Sequence, residues 1–381
     1  MSLLFISTVF STRTATTAIG SSGTIAATST ASPLYVDGNQ IKDANGNIVY
    51  LRGVCKTDLS SVDGDWYAGA YWTEAYAREE MNAIKSWGAN VVRIHIAISD
   101  FKNNILTADG VTHYKQAMAR LLTIADELSM YVIMDGYSVL SGSWQGQDAG
   151  PYPPYQNDPA AASVIGSEQD FINWWADMAN TFKNHPSAIF DIWNEPHDPF
   201  PKATYFSTVQ KCISAIRATG STNVVMVNWD WGCWVDLAGP WVNSLSWVFN
   251  YPLTGTNIVY ETHLYQNPGS GNGCIFNSAQ GYKKYYDYAT VDYALGLTRY
   301  YDVAAQYPLV IGEIGAALGG ADHNDELLFF SNALALFNLH GIGYCGFNWC
   351  TGYAMPLLSS RMPYVANEAG DVIKTALAYV T

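Results

Sequence analysis

Two glutamates in this chain stand where carboxylate chemistry is possible. Ile189-Phe190-Asp191-Ile192-Trp193 runs up to Asn194-Glu195-Pro196, and Leu309-Val310-Ile311-Gly312 runs up to Glu313. A short apolar run that stops at polar residues reads as a buried strand ending at a site. Proline cannot donate to a sheet ladder and keeps the residue before it, Glu195, out of right-handed helical geometry. Asn194 beside it can orient a substrate hydroxyl. A polar strand end followed by an ordinary turn would show the same residues, so the rest of the chain has to decide. Two facing carboxylates suit glycosidic bond hydrolysis: one protonates the leaving oxygen while the other attacks or activates water.

The elements that must position them alternate. Val49 to Val54 reads as a first strand. The helix opened by Thr73, with Met81, Ile84 and Trp87 on one face, stops at Gly88. Asn90 to His95 is a second strand, Tyr114 to Leu128 a helix, and Tyr131 to Asp135 a third strand. A helix marked by Phe171, Trp175, Met178 and Phe182 precedes the Glu195 strand. A helix around Tyr205 to Ala218 precedes a fifth strand, Asn223 to Asn228. Asn257 to Glu261 is the sixth strand, running on into Thr262-His263-Leu264-Tyr265. Leu309 to Glu313 is the seventh and Gly343 to Trp349 the eighth, with helices near Leu295 to Gln306 and Leu327 to Leu339. Eight alternating units imply a parallel sheet closed as an α/β barrel of the (β/α)8 type, the TIM barrel, in one domain with long βα loops. Asn45-Gly46 marks a short β-hairpin ahead of it, a small lid over one end.

Composition narrows the partner. A formal net charge of -14 argues against nucleic acid, anionic membranes and polyanionic substrates. No apolar run is long enough to span a bilayer. A neutral partner fits better. Aromatics are 14% of the chain, with 13 Trp and 26 Tyr, many in loop-like stretches, and exposed rings are the usual surface for stacking on sugars. Six cysteines lack Cys-x-x-Cys spacing, and no His-x-His or His-Glu-x-x-His motif occurs, so neither a metal nor any other cofactor is expected. Cys233 with Cys274, and Cys55 with Cys345, are candidate disulfides across neighbouring strands. Residues 1–32 start with apolar Leu3-Leu4-Phe5-Ile6 and continue rich in Ser, Thr and Ala. They read as a signal peptide and linker lacking the usual leading basic residue, which points to an extracellular protein. The catalytic domain is then 33–381.

In such a barrel, functional side chains gather at the C-terminal ends of the strands. Those ends carry Arg93 and His95, Asp135 and Tyr137, Asn194 and Glu195, Trp229, His263 and Tyr265, Glu313, and Asn348 and Trp349. With Leu51-Arg52-Gly53-Val54, Val92-Arg93, Trp193-Asn194-Glu195-Pro196, His263-Leu264-Tyr265, Gly312-Glu313 and Trp349 in that order, the chain resembles glycoside hydrolase family 5 from about Pro33 to its C-terminus. The resemblance implies that Glu195 is the general acid/base and Glu313 the nucleophile of a retaining double displacement, with carboxyls roughly 5 Å apart. It further implies that Arg93 keeps Glu313 ionised, Tyr265 donates to it, Asn194 binds the sugar 2-hydroxyl, and His263 orients the acid/base or the leaving group. Trp349 would offer a ring to the sugar. The family's histidine two residues after the third-strand aspartate is here Tyr137, so Tyr137 or His95 would take over that sugar contact.

Other readings are blander. Asp135 is expected as a structural partner of Arg52 or Arg93, and His185 and His197 as solvated loop residues. Trp144, Trp229, Trp231 and Trp234 are candidates for the cleft, at least one of them lining it. The activity implied is that of a monomeric, secreted endo-β-1,4-glucanase of the cellulase type acting on a neutral β-linked polysaccharide. A β-mannanase or xyloglucanase on the same frame is the near alternative, and a carbohydrate-binding barrel without catalysis the distant one.

Overall fold

The computed structural model describes residues 30–56, 59, 73–107, 109–140, 150–153, 159–197, 199–229, 244–265, 287–319, 323–352, 355–361 and 363–379. Trp144, Trp231, Trp234, Cys233, Cys274 and the leader reading for residues 1–29 lie outside the described residues.

A hairpin of β1 (Tyr35–Asp37) and β2 (Gln40–Lys42) precedes the barrel. The barrel strands are β3 (Arg52–Lys56), β4 (Val91–Ala97), β5 (Tyr131–Ser138), β6 (Ala188–Asp191), β7 (Val225–Val227), β8 (Ile258–Tyr265), β9 (Leu309–Gly315) and β10 (Gly343–Gly346). They pair in parallel in chain order, and β10 closes the ring onto β3. The helices are α1 (Glu74–Ser86), α2 (Ile98–Asn103), α3 (Tyr114–Leu128), α4 (Pro159–Val164), α5 (Glu168–Phe182), α6 (Lys202–Ala218), α7 (Trp247–Asn250), α8 (Tyr288–Leu297), α9 (Tyr300–Ala304), α10 (His323–His340) and α11 (Glu368–Leu377). The expected (β/α)8 architecture is therefore present.

Local signals account for most boundaries. Thr73 caps α1 by accepting from the Tyr76 amide, and Gly88 leaves it at a φ of 96°. α3 has the expected limits. Two expectations change. The stretch 295–306 is two helices rather than one, because Arg299 between them adopts a φ of 71°. The first hairpin turns at Gly38, with a φ of 62°, while Asn45-Gly46 forms a second turn that leaves only an isolated bridge from Lys42 to Ile48.

The hairpin seals the N-terminal end of the barrel, away from the strand ends that matter. Ile41 packs with Leu51, Val91, Ile133, Val224 and Val310, and Asn257 Oδ1 accepts from the Val36 amide. Apolar residues facing out of the strands meet the helices in one large core containing Trp175, Trp193, Phe171 and Phe337. After β10, a second hairpin of β11 (Leu358–Arg361) and β12 (Tyr364–Ala366) leads into α11, a region for which the sequence carried no reading.

Candidate active site

Alternation along the strands builds the site, since residues two apart share a face. Arg93 and His95 on β4, Asp135 on β5, Asp191 on β6, Glu261 and His263 on β8, and Glu313 on β9 are all buried. Arg93 is the hub. Its Nε donates to Asp191 at 3.0 Å, Nη1 to Glu313 Oε1 at 2.8 Å and Nη2 to Asn194 Oδ1 at 3.1 Å. Asp135 lies 3.1 Å from Nη2, which identifies Arg93 as its partner. Arg52 instead lies over the Tyr50 ring at 4.8 Å and bonds the Tyr379 carbonyl.

Glu313 is held from several sides. Tyr265 donates its hydroxyl to Oε2 at 2.6 Å, and His95 Nε2 lies 3.1 Å from Oε1. Burial alone would push this carboxyl up, but His263, His95 and Arg93 hold it well below the usual carboxylate range. Glu195 has less support. His263 Nδ1 faces its Oε1 at 2.6 Å, its side chain is 16% exposed, and burial pushes its carboxyl up against the pull of His263. Burial likewise raises Asp135, and with Glu261 nearby raises Asp191 to about 7. His95 is lowered by burial.

Glu195 lies beyond the end of β6, and its φ is 48°. It avoids right-handed helical geometry, as the following proline requires, by taking a left-handed turn rather than an extended one. Such a conformation costs about 1–3 kcal/mol in a non-glycine residue and concentrates at functional sites. The turn is tied down by the Asn194 amide donating to the Gly136 carbonyl at 3.0 Å. His197 is buried beneath it, with Nδ1 2.8 Å from the Glu195 carbonyl, rather than solvated. His185 is half-buried against Asp126 at 2.9 Å.

The aromatic expectations need correction. Trp349 is 3% exposed and packs edge-on against Trp87 at 4.6 Å, so it offers no ring face to a sugar. Phe347, two residues earlier, is the ring of that strand end that reaches the site, 5.9 Å from His95 and 6.2 Å from Tyr265. Trp229 is 1% exposed and fills space against Tyr205 and Phe206. Tyr137 stacks on His95 at 4.1 Å, which joins the two residues offered as alternatives into one unit. Cys55 and Cys345 are buried free thiols, and Cys55 Sγ bonds the Gly312 carbonyl at 3.1 Å, so that pair forms no disulfide. Sequence reading missed Glu261, although its spacing of two from His263 and four from Tyr265 puts all three on one face of β8.

Glu195, His263 and Glu313 bring three donor atoms within 4.8 Å of one another, a spacing that a small cation could use. They do not fit one. Arg93 already places a positive charge on Glu313, and the surrounding carboxyls push His263 towards its charged form, whereas a metal-bound imidazole must be neutral. The arrangement is two carboxyls, each hydrogen-bonded to neighbouring side chains, whose proton affinities are shifted in opposite directions.

Residues 43–352 match the family model for cellulase, glycosyl hydrolase family 5. An endoglucanase of Clostridium saccharobutylicum is 25% identical over 249 residues, 63% of this chain and 44% of that protein. A mannan endo-1,4-beta-mannosidase of Cellvibrio japonicus is 22% identical over 328 residues, 85% of this chain and 61% of its own length. The matched stretch is thus less than two thirds of either relative. Among solved structures, a hyperthermophilic endocellulase from Pyrococcus horikoshii superposes with a TM-score of 0.67 at 18% identity, covering 91% of this chain and 99% of that one. With a family match across most of its barrel, the chain belongs to glycoside hydrolase family 5.

Proposed function

We propose that this protein is an endo-acting β-1,4-glucanase that hydrolyses its substrate with retention. One observation carries the reading: carboxyl oxygens of Glu195 and Glu313 lie within 4.8 Å of each other, while their surroundings push the two proton affinities apart. Retaining glycosidases need carboxyls about 5–5.5 Å apart, and inverting ones about 6.5–9.5 Å so that a water fits between. Glu313, kept ionised, is the nucleophile. Glu195 protonates the leaving oxygen and then, as a base, activates the water that releases the glycosyl-enzyme.

The neighbours divide the remaining work. Arg93 and Tyr265 hold the Glu313 carboxylate in place. Arg93 also takes up Asn194 Oδ1, which leaves the Asn194 amide nitrogen as the donor for the sugar 2-hydroxyl. The His95–Tyr137 stack borders the same sugar, and Phe347 supplies the aromatic surface that Trp349 does not. A neutral glucan fits the acidic chain, and export as a monomer is part of this proposal. A β-mannanase is the second reading, favoured by the Cellvibrio relative.

The test is product analysis by proton NMR during hydrolysis of cello- and manno-oligosaccharides, alongside reducing-sugar release from carboxymethylcellulose and mannan. β-Anomeric product from cello-oligosaccharides is expected. α-Anomeric product would remove Glu313 as nucleophile. Turnover of mannan with none of cellulose would replace the substrate.

A further inference from the structure

Glu261 has no part in the reaction as described so far, yet it is fully buried directly behind it. Its Oε1 lies 2.9 Å from His263 Nε2, on the side of the ring opposite Glu195, an ion-pair contact that is not aligned as a hydrogen bond. Room for this carboxylate comes from Gly312, where a Cβ would fall 1.7 Å from Glu261 Oε1. The glycine before the nucleophile therefore serves a contact on the neighbouring strand. A buried carboxylate is costly unless its partners compensate. Those of Glu261 are His263 and, at 3.9 Å, Arg93.

We propose that Glu261 is a positioning residue for the acid/base step, its carboxylate holding His263 by Nε2 so that Nδ1 is kept against Glu195 Oε1. The inference rests on the reading of Glu195 as the acid/base. Facing the Glu261–His263 pair are Arg93 and His95 from β4, Asp135 from β5, Asp191 from β6, Glu195 from the turn after it and Glu313 from β9. Tyr265 and Tyr205 are pushed up by burial and stay neutral. Burial lowers His263, but Glu313, Glu261 and Glu195 outweigh it and raise the ring's proton affinity, which favours the imidazolium. That cation eases loss of the Glu195 proton. A neutral side chain at 261 removes a charge that favours the imidazolium, and once the ring goes neutral Glu195 loses its main counter-charge and keeps its proton to higher pH.

The experiment is the pH profile of kcat/KM for Glu261→Gln on a soluble cello-oligosaccharide, with Glu195→Gln alongside. We expect the alkaline limb of Glu261→Gln to move up by about one pH unit. A purely structural role would lower activity evenly across pH and leave the limb where it was; that result overturns the proposal. Imidazole-nitrogen NMR of the wild-type protein gives a second reading should the variant not fold. A histidine still doubly protonated above pH 8 at both ring nitrogens, and lost in His263→Gln, supports the proposal. A neutral His263 ring at pH 6 removes it. Full activity in Glu195→Gln would instead remove the acid/base reading itself, whereas an inactive Glu195→Gln with an unshifted Glu261→Gln removes Glu261 alone.

Discussion

Glu313 and Glu195 are the same side chain at two strand ends of one barrel mouth, and their surroundings differ in one main respect. Glu313 meets Arg93 at 2.8 Å, the Tyr265 hydroxyl at 2.6 Å and His95 at 3.1 Å. Among the described residues, the Glu195 side chain has a single hydrogen-bond partner, His263. Both lose water on burial, which by itself raises either carboxyl. Donors fixed in advance decide which one keeps its charge in spite of that loss. One low-dielectric site thereby holds a carboxyl pushed towards its ionised form beside one pushed towards its protonated form. Strand geometry supplies the difference: Glu313 sits within β9, between neighbours that present their donors inward. Glu195 hangs from a turn past the end of β6.

The contrast can be broken by removing either charge. Glu313→Gln should lower kcat/KM on cello-oligosaccharides by on the order of 10⁵-fold, because no neighbouring group can replace the attacking oxygen. Glu195→Gln should cost about 10²–10⁴-fold on the same substrate. Its loss should shrink on an aryl cellobioside whose leaving group needs no proton. If the activated substrate rescued Glu313→Gln instead, the two roles would be reversed.

Beneath the pair, Asp135 and Asp191 respond to pH in the opposite sense to Glu313. Asp191 is raised to about 7, against about 3.9 unfolded. Between these values the folded state binds the extra proton, so stability falls as pH rises through that window. Glu195, also raised, adds to the decline. Glu313, being depressed, contributes stability that is present above its unfolded value and lost only in stronger acid. Asp191→Asn removes one titrating group while keeping an oxygen for Arg93 Nε. Its Tm should drop about 3 °C less than the parent's between pH 4 and pH 7, by scanning calorimetry. Parallel profiles would show that the proton resides elsewhere in the cluster.

The frame of this comparison was legible in the sequence because period-two and period-3.6 apolar patterns survive without knowledge of contacts. Arg93, His95, Asn194, Glu195, His263, Tyr265 and Glu313 come together as the strand-end argument requires. Where it failed, the deciding information lay between distant residues. Trp349 and Phe347 are two positions apart on one strand end, and packing against Trp87 and Tyr364 takes Trp349 out of the site. Trp229 is drawn into the core by Tyr205 and Phe206 of α6. Glu261 was visible by spacing, but an acid in the middle of a strand has meaning only once Gly312 is known to lie beside it. The break at Arg299 depends on a backbone angle that no residue type there announces.

The finest distinction between the two carboxyls rests on a single phenol. Tyr265 is paired with Glu313 and not with Glu195, so Tyr265→Phe should touch one side of the comparison alone. Losing a hydrogen bond to a charged group raises the proton affinity of Glu313 by about one pH unit. Under the proposed mechanism activity needs Glu313 ionised; it is present above that group's pKa and disappears as pH falls through it. The acid limb of kcat/KM should therefore enter at a pH about one unit higher, with about a tenfold loss at the optimum and the alkaline limb unmoved. The ring itself also packs against Phe347, and phenylalanine preserves that contact. A shift in the acid limb thus reports the hydroxyl. A tenfold loss with both limbs unmoved would mean that Tyr265 positions Glu313 without setting its charge, and that Arg93 and the two histidines suffice to keep the nucleophile ionised.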